Sequence, residues 1–225
     1  MTPTLRLDPD DSARPARLTE VTLRAAVHDL CARDVSLARL VSQYGAPPLW
    51  ERPEGFVTLV RMILEQQVSL ASAATLFTRL DSSVDGGMQP EPMRVLGAHG
   101  LRALGVTRQK AAYLVALAEH VTDGRLELTM LSTLPDSDVV SALQRVPGIG
   151  PWTAHVYLLF ALGRPDAWPP GDLALHKMLQ HVHELEQVLS SRDASRLADA
   201  WTPWRAVAAR ILWHAYLAQR GRSMP

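Results

Sequence analysis

The run Val146-Pro147-Gly148-Ile149-Gly150-Pro151-Trp152-Thr153-Ala154, followed by Pro169-Pro170-Gly171-Asp172, joins a turn suited to holding a phosphate with one isolated carboxylate. Apolar residues at Val139, Val140, Leu143 and Val146 carry a helical period through 137–145, with Ser137 or Asp136 as the N-cap. Pro147 and Gly148 end that helix. Gly150 suits the N-cap position of a second helix, and Pro151 its first turn, where a missing N–H donor costs nothing. The expected form is helix, tight hairpin, helix, at about 137–163. Two glycines let backbone come close to a ligand, and the free N–H groups at a helix start, with the positive end of its dipole, attract an anion. Many bare Pro-Gly-x-Gly turns nevertheless join helices that bind nothing.

Asp172 follows Pro-Pro-Gly and precedes Leu173, Leu175 and Met178, which makes it a good helix N-cap, a role worth about 1 kcal/mol. A cap and a reactive group are compatible here, because an aspartate at a helix start points outward into whatever cleft lies beside it. A fixed carboxylate of that kind can stabilise a developing cation and help to orient water.

Helical period dominates the rest of the chain, and no sustained alternation of the β type occurs. The reading is an all-α protein. Helices are expected from Thr19, from Val35 to Tyr44, and over Phe56 to Leu80 as one long helix or two abutting ones. Others are expected near Pro92–His99, from Thr107 (as cap) to Thr122, at 126–132, and at the hairpin pair. The last two are Asp172–Leu189 and Pro203–Arg220. Residues 81–92, rich in Gly, Pro, Asp and Ser, read as loop. There is no internal repeat.

At 225 residues and 47% hydrophobic, the chain can bury a sizeable core as one domain or two small ones. The single cysteine, Cys31, excludes a disulfide framework and a four-cysteine iron–sulfur cluster, and fits a reducing, cytoplasmic compartment. No apolar run is long enough to span a bilayer, and residues 1–18 lack the apolar core of a secretory signal and read as a flexible tail. The 23 basic and 23 acidic residues cancel, so there is no bulk attraction to a polyanion. Residues 201–225 carry Arg205, Arg210, Arg220 and Arg222 and no acid, which allows a basic face or merely solvated arginines. No HExxH or Cys/His cluster is present, so neither a metal nor a cofactor is expected.

The hairpin string with its following aspartate resembles the helix-hairpin-helix, Gly/Pro-rich loop and aspartate of the HhH-GPD superfamily of DNA glycosylases. Three further segments resemble one branch of it, the 3-methyladenine DNA glycosylases II. They are Ile63-Leu64-Glu65-Gln66-Gln67-Val68-Ser69, Arg108-Gln109-Lys110-Ala111 and Trp201-Thr202-Pro203-Trp204-Arg205, and the likeness runs from about Trp50 to about Arg220. It implies two helical subdomains with a cleft between them, one from 19–55 and 172–225, the other from 56–171. An additional N-terminal α/β domain common in that branch looks absent.

The resemblance also implies roles. Asp172 is the catalytic carboxylate that stabilises the sugar cation as an N-glycosidic bond breaks. Strand-cutting members carry a lysine at the position of Trp152, so a tryptophan implies a monofunctional enzyme without lyase activity. Trp152 and Trp213 fall at aromatic positions of the base pocket, where an electron-rich face attracts a base made cationic by alkylation. His155, three residues after Trp152, borders the cleft. Gly148, Ile149 and Gly150 anchor DNA, and Gln66 and Gln67, read as mid-helix, support the extruded nucleotide. Gln67 stands where the similar enzymes have a bulky apolar wedge, so here the filler would be polar. Arg205 is a phosphate ligand because of its acid-free sequence neighbourhood, whereas for Arg108 and Lys110 phosphate contact and plain solvation are both open. Trp50, Trp168, Trp201 and Trp204 read as structural.

The expected partner is double-stranded DNA containing damaged bases, met by a monomer in a bacterial-type cell with no membrane association. The expected activity is release of 3-methyladenine and 7-methylguanine type bases in base excision repair. Alternatives are a glycosylase for deaminated or mismatched bases, or a non-catalytic helix-hairpin-helix DNA-binding protein.

Overall fold

The structure, a computed structural model, describes residues 16–222, and the first fifteen residues of the expected tail lie outside them. Its last residues are not tail-like. Leu18 is 2% exposed, and its backbone N–H donates to the Gly163 carbonyl at 2.7 Å.

Among the described residues the chain is helical without strands, as expected. Its α-helices are α1 (Glu20–Arg33), α2 (Val35–Tyr44), α3 (Phe56–Glu65), α4 (Leu70–Ser83), α5 (Pro90–Ala103) and α6 (Arg108–Thr122). They continue with α7 (Asp136–Gln144), α8 (Pro151–Phe160), α9 (Leu173–Val182), α10 (Ser191–Ala198) and α11 (Arg205–Ala218). Short polar side chains start many of them by accepting orphan backbone N–H groups: Thr19 for α1, Asp34 for α2, Ser69 for α4, Thr107 for α6, Asp172 for α9 and Ser190 for α10. None of these helices is long and apolar enough to cross a membrane.

Several boundaries differ from the sequence reading. Helix α7 is preceded by Pro135, so neither Ser137 nor Asp136 caps it; Asp136 sits inside the first turn, where an acid suits the dipole. The expected helix over 56–80 is two helices. Gln66 leaves helical geometry with ψ 128° and Gln67 has φ +56°, so both glutamines occupy a turn and are not mid-helix. Helix α9 stops at Val182, and the separate helix α10, whose apolar content is sparse, escapes a reading by hydrophobic period.

Helix α11 packs on α1, α2 and α9, while α5 packs on α6, α3 on α4 and α6, and α7 on α8. Helix α8 is buried on nearly every side from Thr153 to Phe160, as befits a helix at the centre of the molecule. Arg210 ties this centre together. It is fully buried on α11 and donates to the carbonyls of Leu49, Ala206 and Leu159 at 2.8, 3.2 and 2.8 Å. Burial pushes its guanidinium down to about 9, which leaves it protonated at neutral pH. Arg210→Met would fill the space but orphan the buried Leu49 and Leu159 carbonyls. The expected loss is about 2–3 kcal/mol of unfolding free energy, read from urea titration; an unchanged midpoint would contradict it.

Candidate active site

Gly150, with extended backbone, caps α8 and Pro151 takes its first position, so Trp152 leaves the first turn of that helix at the mouth of a cleft. Asp172 starts α9 after Gly171, whose φ of +76° turns the chain. The two helix starts therefore face each other, and the carboxylate and the indole meet.

Asp172 does what the sequence allows on both counts. Its Oδ1 accepts the backbone N–H of Leu175 at 2.9 Å and the Trp213 indole N–H at 3.2 Å, and its Oδ2 accepts the Trp152 indole N–H at 2.9 Å. A carboxylate offers about four acceptor positions, so three neutral donors fix its orientation and leave room on Oδ2 for one more. The residue is 8% exposed, yet it lines both a cavity of about 220 Å³ and an adjoining groove of about 690 Å³. No basic side chain among the described residues forms an ion pair with it.

The cavity is lined by aromatic rings and by charged side chains. Trp152, 36% exposed, stands at its rim, whereas Trp213 is 6% exposed and stacks on Phe160 with centroids 5.4 Å apart and an interplanar angle of 22°. Tyr216 adds a further ring, and Arg52 with Glu65 forms the polar wall. Sequence reasoning did not assign roles to Phe160, Tyr216, Arg52 or Glu65. Phe160 was open to discovery, since Trp152, Val156 and Phe160 recur at i+4 spacing on one face of α8, and Tyr216 lies one turn beyond Trp213. Arg52 and Glu65 had no such signal, because their contact is made across a loop and a whole helix.

His155 is not in this cavity. It falls off the edge of the Trp152–Phe160 face, places Nδ1 2.8 Å from the Pro151 carbonyl, and lines a separate pocket with Asp136, Asp166, Trp168 and Arg205. Arg205 is also differently employed. Its Nη2 and Nε donate to Asp166 at 2.7 and 3.0 Å and its Nη1 to Asp199 at 3.3 Å, so a neighbourhood free of acids in sequence is acidic in space. These carboxylates hold the guanidinium pKa above its usual value and occupy its donors, which removes the argument for Arg205 as a phosphate ligand.

Gln66, Gln67, Gly148, Ile149 and Gly150 do come together, in a groove of about 720 Å³ that also takes in Arg108. Gln66 donates from Nε2 to the Gly148 carbonyl at 2.9 Å and to the Thr153 hydroxyl at 3.3 Å, pinning the α3–α4 turn to the hairpin. Gln67 is exposed at the tip of that turn and borders both this groove and the one beside Asp172. Lys110 is spent on structure, its ammonium donating to the Leu64 carbonyl at 2.6 Å at the end of α3, with burial lowering its pKa. Arg108, in the first turn of α6, is exposed.

Comparison with known proteins agrees with this geometry. DNA-3-methyladenine glycosylase 1 of Schizosaccharomyces pombe is 27% identical over 180 residues, 79% of this chain and 79% of its own length. DNA-3-methyladenine glycosylase 2 of Escherichia coli is 30% identical over 171 residues, 72% of this chain but 57% of its own length, so the chain spans little more than half of that relative. Among solved structures, the S. pombe 3-methyladenine DNA glycosylase in complex with abasic DNA matches with a TM-score of 0.75 at 25% identity, covering 87% of this chain and 97% of that one. The family model for HhH-GPD base excision DNA repair proteins matches residues 60–204, from α3 through the hairpin and Asp172 to the start of α11, and the chain belongs to that superfamily.

Proposed function

We propose that this protein is a monofunctional DNA glycosylase that hydrolyses the N-glycosidic bond of alkylated bases, of the 3-methyladenine and 7-methylguanine type, in double-stranded DNA. The observation that carries the proposal is the Asp172 carboxylate, oriented by the indoles of Trp152 and Trp213 at the edge of an aromatic cavity.

The N–H groups at the start of α8 bind a backbone phosphate, and Arg108 across the same groove adds a cation. The cleft lies between the group α3–α8 and the group α1, α2 and α9–α11, which act as two subdomains. Gln67, at a tip between both grooves, fills the gap left by the extruded nucleotide. The base enters between Trp152 and Trp213. Alkylation at N3 or N7 makes a purine cationic, which weakens its bond to the sugar and draws it to the indole faces, by roughly 0.5–2 kcal/mol. Such a base leaves neutral and needs no acid. What remains is to stabilise the positive sugar, which the negative Asp172 does, while the open acceptor position on Oδ2 orients the attacking water.

The monofunctional reading rests on Trp152, since an indole has no amine to form a Schiff base, and among the described residues no lysine lines the cavity. One experiment covers both halves of the proposal: the protein, as a monomer, is incubated with methylated duplex DNA, and released bases are identified by chromatography with and without borohydride. Free methylated purine and no trapped protein–DNA adduct are expected. DNA binding without base release would favour a purely binding role, and a trapped adduct would contradict the monofunctional mechanism.

A further inference from the structure

The lining of the cavity includes a guanidinium, that of Arg52, which is an odd neighbour for a cationic guest. Arg52 and Glu65 are 18% and 15% exposed, and their contact is a two-armed one, Nη1 to Oε2 at 2.8 Å and Nη2 to Oε1 at 3.1 Å. Arg61 approaches Oε1 from the outer side at 3.4 Å and is itself 39% exposed. Both members of the inner pair line the 220 Å³ cavity, and Glu65 also borders the groove in front of Asp172. The cavity is smaller than the roughly 300–1,000 Å³ typical of drug-sized ligands, so nothing bound there can sit far from this pair.

Charge within the cavity follows from these contacts. Arg52 also lies 5.9 Å from the Phe160 centroid, and Arg210 lies 5.6 Å from the same ring, so that ring already serves the protein's own cations. A cationic base must use the rings of Trp152, Trp213 and Tyr216 and tolerate Arg52. Among the charged residues that line the cavity, Glu65 cancels Arg52 and Asp172 is left without a counter-charge; Arg61 and Arg210 do not line it. Without Glu65, the guanidinium would oppose a cationic base while leaving a neutral one indifferent.

We propose that the Arg52–Glu65 pair is a specificity element that sets the charge preference of the base pocket, with Glu65 cancelling Arg52 so that cationic alkylated bases are accepted over neutral ones. The proposal rests on the glycosylase reading above. Both residues are positioning and selecting groups and take no part in bond breaking.

The test compares single-turnover release of 7-methylguanine, cationic while joined to the sugar, with that of hypoxanthine, neutral in the same state. The variants are Glu65→Gln, Arg52→Gln and the double variant, with melting temperatures recorded for each. Glu65→Gln is expected to lower the ratio of cationic to neutral release about tenfold or more, Arg52→Gln to raise it, and the double variant to return it near the parent value. Loss of side-chain packing alone would slow both substrates together and move both single variants the same way. A ratio unchanged in the single variants, or shifted in one direction by both, overturns the charge-selection proposal while leaving the glycosylase reading intact. Failure of the parent chain to release either base overturns the glycosylase reading and the proposal with it.

Discussion

Asp172→Asn is expected to cut base release about 10²–10³-fold or more, the scale seen when one preorganised electrostatic stabiliser is removed from an active site, while DNA binding persists. The substitution is the most informative one because it separates the two jobs of this residue. Asparagine caps helices about as well as aspartate, so an amide oxygen in place of Oδ1 can still accept from Leu175 N–H and α9 keeps its start. The negative charge is gone, however, and an amide NH₂ in place of Oδ2 would meet the Trp152 indole N–H donor against donor. Trp152 stands at the rim and can turn to water, so the fold should lose little, about 1–2 kcal/mol. Asp172→Ala would lose the cap as well and confound the reading. Single-turnover kinetics on methylated duplex, anisotropy with the same DNA and a melting curve check all three expectations. A variant that releases base within threefold of the parent rate would remove the carboxylate from the mechanism.

Features written in a few adjacent residues were legible before the structure. The hairpin, with Gly150 as cap and Pro151 at the first helical position, and the caps Thr107 and Asp172 all depend on local rules. Features that depend on what packs opposite were not. Arg205 looks unpaired along the chain because Asp166 lies far earlier in sequence, with α9 and α10 between them, and the turn at Gln66 and Gln67 interrupts a helical period that continues in phase on both sides. The separation of His155 from Trp152 needed only the right helical face, since i+3 and i+4 neighbours diverge when the face is narrow. The polar wall is the extreme case: Arg52 meets Glu65 only because the segment before α3, held at the Arg52 N–H by the Phe160 carbonyl, brings its side chain to the far end of that helix.

Gly148→Ala should be the most damaging small change in the proposed DNA-binding hairpin, and Gly150→Ala, two residues away, shows why. Gly148 has φ +91°, and a Cβ there would lie 2.3 Å from Tyr113 Cγ and 2.4 Å from its Cδ2. The ring cannot step aside freely, because its hydroxyl is held by Gln109 Nε2 at 2.7 Å and the Gly148 carbonyl is itself tied to Gln66. Alanine would therefore combine a strained backbone with a clash and prise the hairpin off α6. The expected loss is about 2–5 kcal/mol of stability, with weaker DNA binding following from the displaced N–H groups. Gly150 has ordinary backbone angles and nothing within 4 Å of an added Cβ, so Gly150→Ala should melt like the parent. Its methyl group would still project into the groove where a phosphate would sit, and DNA affinity should fall without any loss of fold. Adding Tyr113→Ala to Gly148→Ala removes the ring atoms from the clash but keeps a Cβ at position 113, 2.8 Å from the new methyl group, and leaves the backbone strain, so it should recover only part of the stability and of the binding. If Gly148→Ala melts and binds like the parent, the hairpin is not held against Tyr113, and the phosphate anchor must be sought elsewhere along the groove.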